Sequence, residues 1–117
     1  MTEIATVVER YIDIWNETDP ERRRAIVAET FTDDAAYLDP IMSGNGPDGI
    51  DAMIAGAQAQ FPEHRCELTA GPDAHHDRVR FAWRVVSPDG TPVIAGVDFA
   101  RVGDDGRLHD VTGFLEQ

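Results

Sequence analysis

Residues 93–100 read Val-Ile-Ala-Gly-Val-Asp-Phe-Ala, which is typical of a buried strand except for its one carboxyl group. Side chains alternate between the two faces of a strand, so Asp98 shares a face with Ile94, Gly96 and Ala100. Burial among apolar groups disfavours the charged form of a carboxyl group and raises its pKa. Asp98 is therefore expected to be a protonated hydrogen-bond donor or a structural carboxylate. In the second case it pairs with an arginine or lies exposed on one side of the sheet, and the candidate partners are Arg80, Arg84 and Arg101.

This stretch belongs to a series of predicted strands in the second half of the chain. They cover approximately residues 64–71, 78–87, 91–102 and 107–116. Turn-forming sequences of the kind found in hairpins separate them at residues 75–77, 88–90 and 104–106. We therefore expect consecutive strands to pair in antiparallel fashion.

Two helices are predicted at the start of the chain. Apolar residues recur there at helical spacing: Ile4, Val7, Val8, Tyr11, Ile12 and Trp15. Thr2 is in a position to cap this first helix. Asp19 followed by Pro20 predicts the start of a second helix, which continues to about Glu29.

A short strand and a third helix complete the predicted elements. The strand covers residues 35–39, and the Gly-, Pro- and Asn-rich residues 43–47 predict a loop. Asp48 can cap the third helix, and Pro62 ends it. Helices that are segregated from an antiparallel sheet indicate the α+β class. The length of the chain predicts a single domain over residues 1–117.

The composition excludes several classes of partner. The chain has 22 acidic and 10 basic residues and a formal net charge of −12, so it repels nucleic acid and anionic membranes. Cys66 is the only cysteine, which excludes an intramolecular disulfide and suits a reducing cytoplasm. A basic region followed by an apolar stretch is missing at the start, and no apolar run reaches membrane-spanning length, so we expect a cytoplasmic protein. No histidine or cysteine set has metal-ligand spacing, so we expect no metal.

Three segments carry a resemblance to a known family. The chain resembles the nuclear transport factor 2-like superfamily, near its SnoaL-like and ketosteroid isomerase-like branches. The order of the predicted elements carries this resemblance together with three segments: VVERYIDIW (7–15), FTDDAAYLDPIMSG (31–44) and GVDFARVGDDGRLHDVTGF (96–114). The resemblance implies a cone-shaped α+β fold, in which a strongly curved antiparallel sheet wraps around three N-terminal helices and encloses an apolar cavity. It also implies a homodimer, because many members pair back to back through the sheet.

The resemblance to ketosteroid isomerases extends to three functional positions. Tyr11 matches the oxyanion-hole tyrosine of that family, Asp39 its general base and Asp98 its second oxyanion donor, a protonated aspartic acid. It implies an isomerase without a cofactor, in which a carboxylate moves a proton next to a carbonyl and shifts a double bond. On the residues alone, Asp39 can instead be a turn residue before proline, and Tyr11 can be a core tyrosine.

The expected ligand is a small apolar carbonyl compound. The predicted substrate-binding residues are Trp15, Met53, Phe81, Trp83 and Val85, each of which can also simply pack in the core. Two other functions remain open: a SnoaL-like polyketide cyclase, and a non-catalytic ligand-binding or dimerisation module of the same fold. A binding module predicts that one or both aspartates face solvent or pair with arginine.

Overall fold

The computed structural model describes residues 3–116, which form three helices and six strands. The helices are α1 (Ile4–Asn16), α2 (Pro20–Thr30) and α3 (Gly46–Gln60). The strands are β1 (Phe31–Leu38), β2 (Ser43–Asn45), β3 (Arg65–His75), β4 (Arg78–Val86), β5 (Pro92–Val102) and β6 (Leu108–Leu115). The α+β class is confirmed, while the predicted cap Thr2 lies outside the described residues. None of the three helices has the length and apolar character needed to cross a bilayer.

All six strands belong to one strongly curved sheet in the order β2-β1-β6-β5-β4-β3. Strands β3 to β6 form the antiparallel meander that the turn sequences predict. Strand β1 pairs parallel with β6, so the sheet is mixed and the expectation of a purely antiparallel sheet is corrected. The reason is topological: β1 and β2 add to the free edge that the meander leaves at β6.

The segment between β1 and α3 differs from its prediction. Residues 43–45 form strand β2, where a loop was predicted, because they pair with the end of β1. Helix α3 begins at Gly46, whose φ of +71° is accessible to glycine, and Pro47 lies in its first turn. The prediction that Asp48 caps this helix is therefore wrong. Asp48 lies in the first turn, where a negative charge is still favourable.

Helix α1 covers the sheet with the apolar stripe that its sequence predicts. Four residues of this stripe are buried, Val7, Val8, Tyr11 and Ile12, while Ile4 and Trp15 are partly buried against the core. Ile14, which the stripe does not include, is buried as well. Full burial of one such side chain contributes about 1.5–3 kcal/mol. Helices α2 and α3 are joined by a buried ion pair of 2.8 Å between Arg23 and Asp51. Removing one partner would leave a buried charge unpaired and cost about 3–5 kcal/mol.

Strand β5 has one buried face and one exposed face, as its alternation predicts. Asp98 is only 1% exposed, whereas its neighbour Phe99 is 45% exposed. Gly96 and Ala100 are buried with Asp98. The inward face of β5 therefore presents the carboxyl group of Asp98 to the space between the sheet and the helices.

Candidate active site

A cavity of about 1000 Å³ lies between the helices and the sheet. It is open at one end, where Leu38 and Ile41 form part of the rim and are 57% and 67% exposed. Both aspartates and the tyrosine that match the isomerase positions line it: Tyr11, Asp39 and Asp98. So do four of the predicted substrate-binding residues: Trp15, Met53, Trp83 and Val85.

Phe81 is placed differently from the other predicted substrate-binding residues. Its ring is 1% exposed and packs edge-on against the ring of Tyr11, with 5.3 Å between the ring centroids. It does not line the cavity, because the ring of Tyr11 packs against it. The prediction for Phe81 is therefore corrected: it is a core residue that supports the ring of Tyr11.

Asp98 receives two side-chain hydrogen bonds. The hydroxyl group of Tyr11 donates to Oδ2 at 2.6 Å, and Nε1 of Trp83 donates to Oδ1 at 2.9 Å. The three arginines considered as partners form ion pairs with other residues: Arg80 with Asp73, Arg84 with Glu67 and Arg101 with Asp110. Between residues 3 and 116, no arginine forms an ion pair with Asp98. Asp98 is thus neither exposed nor paired with a cation.

The environment of Asp98 shifts its protonation towards neutral pH. Burial raises the pKa of Asp98 to about 6; the hydrogen bonds from Tyr11 and Trp83 oppose this rise, and the charge of Asp39 adds to it. The shift has the direction that the sequence analysis expects, towards protonation close to neutral pH. A ligand that excludes water from the cavity raises the protonated fraction. Burial, followed by the charge of Asp98, raises the pKa of Tyr11 well above its ordinary value, so Tyr11 remains a donor.

Asp39 is held by three donors at the end of β1. The hydroxyl group of Tyr37 donates to its Oδ2 at 2.6 Å. The backbone N–H groups of Ile41 and Met42 donate to Oδ1 at 2.8 and 2.9 Å. Asp39 therefore does stabilise a turn, and it also faces the cavity. Two donors occupy Oδ1 and one occupies Oδ2, so Oδ2 keeps a lone pair that can accept a proton.

Tyr37 is a site residue that the sequence analysis does not identify. It lies two positions before Asp39, and the strand alternation that places i and i+2 on one face would have indicated it. Burial first, and then the neighbouring Asp98 and Asp39, raise the pKa of Tyr37 above its ordinary value. The phenol therefore stays protonated and holds the carboxylate of Asp39 in one orientation.

The two aspartates converge on the same point of β6. A Cβ atom added at Gly113 would lie 2.8 Å from Oδ1 of Asp98 and 3.2 Å from Cβ of Asp39. It would also lie 3.5 Å from the hydroxyl oxygen of Tyr37. Only a residue without a side chain leaves room for this group of two carboxyls and a phenol.

The arrangement combines a proton acceptor with hydrogen-bond donors in a largely apolar cavity. Asp39 can accept and return a proton, while Tyr11 can donate to an oxygen that develops negative charge. Across residues 3–116, no group of three or more His, Cys, Asp or Glu side chains is placed to bind one metal ion.

Comparison with known proteins supports the predicted family. Residues 8–111 match the SnoaL-like domain. A SnoaL-like family protein from Agrobacterium tumefaciens, described as a candidate isomerase, is 42% identical over 100% of both chains, with a TM-score of 0.94. None of the curated proteins compared with the chain matches it.

More distant structures share the fold. A candidate polyketide cyclase from Sinorhizobium meliloti is 20% identical, with 92% of this chain and 93% of that chain covered and a TM-score of 0.73. A protein with a cystatin-like fold from Methylobium petroleophilum is 18% identical, with 97% and 75% covered and a TM-score of 0.77. The chain therefore belongs to the SnoaL-like domain family of the nuclear transport factor 2-like superfamily.

Proposed function

We propose that this protein is an isomerase that needs no cofactor and moves the double bond of a small apolar β,γ-unsaturated ketone into conjugation with its carbonyl. Asp39 is the base, and Tyr11 together with protonated Asp98 stabilises the oxyanion. The observation that carries the proposal is that Asp39 and Asp98 meet around Gly113 in one cavity, with a tyrosine hydroxyl 2.6 Å from each carboxyl group.

Asp39 performs both proton transfers in the proposed reaction. Its Oδ2 takes a proton from the carbon between the carbonyl and the double bond. The C–H bond breaks, an O–H bond forms on Asp39, and the electron pair moves onto the carbonyl oxygen as a dienolate. Asp39 then returns the same proton to the γ-carbon, and the conjugated enone forms. Atoms and electrons balance without another reactant, and a well-placed base of this kind contributes about 10²–10⁴-fold to the rate.

Tyr11 stabilises the dienolate oxygen once Asp98 is protonated. In the free protein, the single hydroxyl proton of Tyr11 is used in the bond to Asp98. When Asp98 carries a proton on Oδ2, this proton can donate to the Tyr11 oxygen, and the Tyr11 hydroxyl is free to turn towards the substrate. The Trp83 bond to Oδ1 holds the carboxyl group in place. One donor at an oxyanion contributes about 10²–10³-fold.

The alternatives differ in what they require of this site. A polyketide cyclase would use the same carboxylate beside a different carbonyl compound. A pure binding module does not require two buried carboxyl groups without cationic partners, since their burial costs stability. The position of Asp98 favours an enzyme because an apolar cavity serves ligand binding alone without this cost.

A homodimer is proposed through the outer face of the sheet. This face carries exposed apolar side chains, among them Phe99 and Phe114, whose rings meet edge to face at 5.8 Å. Ion pairs surround these rings, and each joins an arginine to a carboxylate across neighbouring strands. An apolar centre with a charge-balanced rim is suited to contact with a second copy of itself.

The direct test is formation of the conjugated enone from a β,γ-unsaturated ketosteroid, followed by absorbance. We expect turnover by the wild type, a loss of about 10³-fold in Asp39→Asn and a smaller loss in Asp98→Leu. Asp13→Asn is the matched control, because Asp13 is an exposed carboxylate on α1 outside the cavity. If a well-folded wild type does not turn over the steroid, ketosteroid isomerisation is excluded as the activity. If the Asp39→Asn variant turns over the steroid as fast as the wild type, Asp39 is not the base.

A further inference from the structure

Trp83 lies diagonally opposite Asp98 on the inner face of the sheet. In the pairing of β4 with β5, Trp83 stands opposite Gly96, and Phe81 stands opposite Asp98. A long aromatic side chain can reach such a diagonal neighbour. The indole of Trp83 does so, because its Nε1 donates to Oδ1 of Asp98 at 2.9 Å. The register of the two strands therefore places the indole N–H beside this carboxyl group.

Gly96 gives the indole the room to reach Asp98. A Cβ atom added at Gly96 would lie 2.6 Å from Cζ2 and 3.1 Å from Cε2 of Trp83. Cε2 is bonded to Nε1, so the edge of the ring that donates to Asp98 also passes over Gly96. A side chain at position 96 would therefore displace the indole from the carboxyl group.

The two hydrogen-bond partners of Asp98 differ in what they can do. An indole N–H can only donate, whereas a phenol hydroxyl can both donate and accept. When Asp98 binds a proton, the N–H of Trp83 still needs an acceptor, so Oδ1 is best kept as the carbonyl oxygen. A proton on Oδ2 faces the hydroxyl oxygen of Tyr11, which is 2.6 Å away and can accept it.

The surroundings of Oδ1 give a proton no acceptor. Oδ1 lies so close to Gly113 of β6 that a Cβ atom added there would be 2.8 Å from it. Among residues 3–116, Trp83 is the one residue whose side chain forms a hydrogen bond with Oδ1, and it is a donor. Because Asp98 is only 1% exposed, an O–H group on Oδ1 would be buried without a partner, which is costly.

We infer that Trp83 is a positioning residue: its N–H keeps Oδ1 as the carbonyl oxygen of neutral Asp98 and so directs the proton onto Oδ2, towards Tyr11. The consequence for catalysis rests on the proposed function. With the Asp98 proton donated to the Tyr11 oxygen, the Tyr11 hydroxyl turns to the dienolate oxygen. Trp83 thus acts on the reaction through Asp98 and Tyr11, without having to contact the reacting atoms.

Other titratable groups face Asp98 from three elements. Tyr11 lies on α1, Tyr37 and Asp39 lie on β1 and just after it, and Cys66 lies on β3. Burial raises the pKa of both tyrosines and of the thiol, so these groups stay protonated at acidic pH. Asp98, with a pKa of about 6, is mostly neutral at pH 5, where ordinary carboxyl groups are mostly ionised.

Infrared spectra at pH 5 can therefore isolate the carbonyl stretch of neutral Asp98, by subtraction of the spectrum of Asp98→Asn. The test variant is Trp83→Phe, which keeps an aromatic ring and removes the N–H, with its own Asp98→Asn counterpart subtracted. A hydrogen bond to a carbonyl oxygen lowers its stretching frequency, so we expect the band to move to higher wavenumber in Trp83→Phe. Trp15→Phe is the matched control, because it removes the other tryptophan of the cavity and leaves both bonds to Asp98 in place. Its band should stay at the wild-type position.

Turnover provides the second readout. We expect the kcat of Trp83→Phe to fall about tenfold, as for one lost hydrogen bond, while KM stays within about twofold because a ring still lines the cavity. A band that Trp83→Phe leaves in place, or a shifted band with an unchanged kcat, overturns this inference.

The spectra also separate this inference from the proposed function. If the band shifts in Trp83→Phe but the wild type does not turn over the steroid, the direction of the proton is supported and the proposed function is overturned. If the wild type has no Asp98 band at pH 5, the inference is overturned together with the role of protonated Asp98, whatever the turnover.

Discussion

The hydroxyl group of Tyr11 lies 2.6 Å from the carboxyl group of Asp98, although 87 positions separate the two residues in the chain. Helix α1 and strand β5 meet at this hydrogen bond, so the packing of the helix on the sheet fixes the candidate oxyanion donors. The same bond makes the orientation of the Tyr11 proton depend on whether Asp98 is protonated.

Replacement of Asp98 by asparagine should change how stability depends on pH. The pKa of Asp98 is raised from 3.8 to about 6 in the folded protein, so the folded state binds the extra proton between these values. The contribution of Asp98 to the stability of the wild type is therefore greatest below about pH 4, and it is lost as the pH rises through 6. A rise in the pKa of Asp98 from 3.8 to about 6 corresponds to about 3 kcal/mol of folding free energy.

Asp98→Asn does not titrate, so we expect it to gain up to about 3 kcal/mol relative to the wild type between pH 4 and pH 7. Urea unfolding of both proteins over this pH range measures the gain. Any constant effect of the amide on the bonds from Tyr11 and Trp83 cancels in the comparison. A difference between the two proteins that stays the same at every pH would show that Asp98 keeps an ordinary pKa.

Tyr37→Phe should slow the reaction without weakening substrate binding. The change removes one of three donors to Asp39, and the carboxylate is then less well oriented for proton transfer. We expect kcat to fall about tenfold while KM stays within about twofold, and the free energy of unfolding to fall by about 1.5–3 kcal/mol for a lost bond to a charged group. Steady-state kinetics that show an unchanged kcat would remove Tyr37 as a positioning residue.

Gly113→Ala should disrupt the site more than the fold. The added methyl group would lie 2.8 Å from Oδ1 of Asp98 and 3.2 Å from Cβ of Asp39, so both side chains must move. We expect turnover to fall by at least about 10²-fold, because displacement of a base by about 1 Å is costly. Gly103→Ala is the control, since Gly103 lies outside the cavity and its added methyl group would meet its nearest atom, Cγ2 of Thr32, at an ordinary 3.4 Å. Equal turnover in the two variants would contradict the convergence at Gly113.

Phe99→Glu should dissociate the proposed dimer. It places a charge among the exposed apolar side chains of the outer sheet face, beside Phe114. Sedimentation velocity should show a dimer for the wild type and a monomer for this variant. Leu38→Glu is the control, because Leu38 is also exposed and apolar but lies at the cavity rim. A wild type that sediments as a monomer at every concentration, or a Phe99→Glu variant that stays dimeric, would remove this interface.

Local sequence patterns predict those elements whose conformation depends mainly on neighbouring residues in the chain. The helical spacing of α1 and the alternation in β5 give the buried positions of Tyr11 and Asp98, because each depends only on neighbours in the chain. Strand β2 and the parallel pairing of β1 with β6 depend on contacts that are distant in sequence, so the Gly- and Asn-rich residues 43–45 read as a loop.

The candidate site is likewise predictable from the sequence only in part. Resemblance to the isomerases indicates Asp39, Asp98 and Tyr11. The bond from Trp83 to Asp98 depends on the register of β4 with β5, and the role of Gly113 depends on three chain segments that meet at β6. Neither follows from spacing along the chain. Strand alternation predicts the face of β4 on which Phe81 lies, but it does not predict that the ring of Tyr11 packs against Phe81.

The central claim is that Asp39 carries one proton from the α-carbon to the γ-carbon. A β,γ-unsaturated ketosteroid with deuterium at the α-carbon tests it in ordinary water, with the enone analysed by mass spectrometry at early conversion. We expect deuterium at the γ-carbon of the product formed by the wild type and almost no product from Asp39→Asn. Enone with only solvent hydrogen at that carbon, formed at a rate that Asp39→Asn leaves unchanged, would contradict the account.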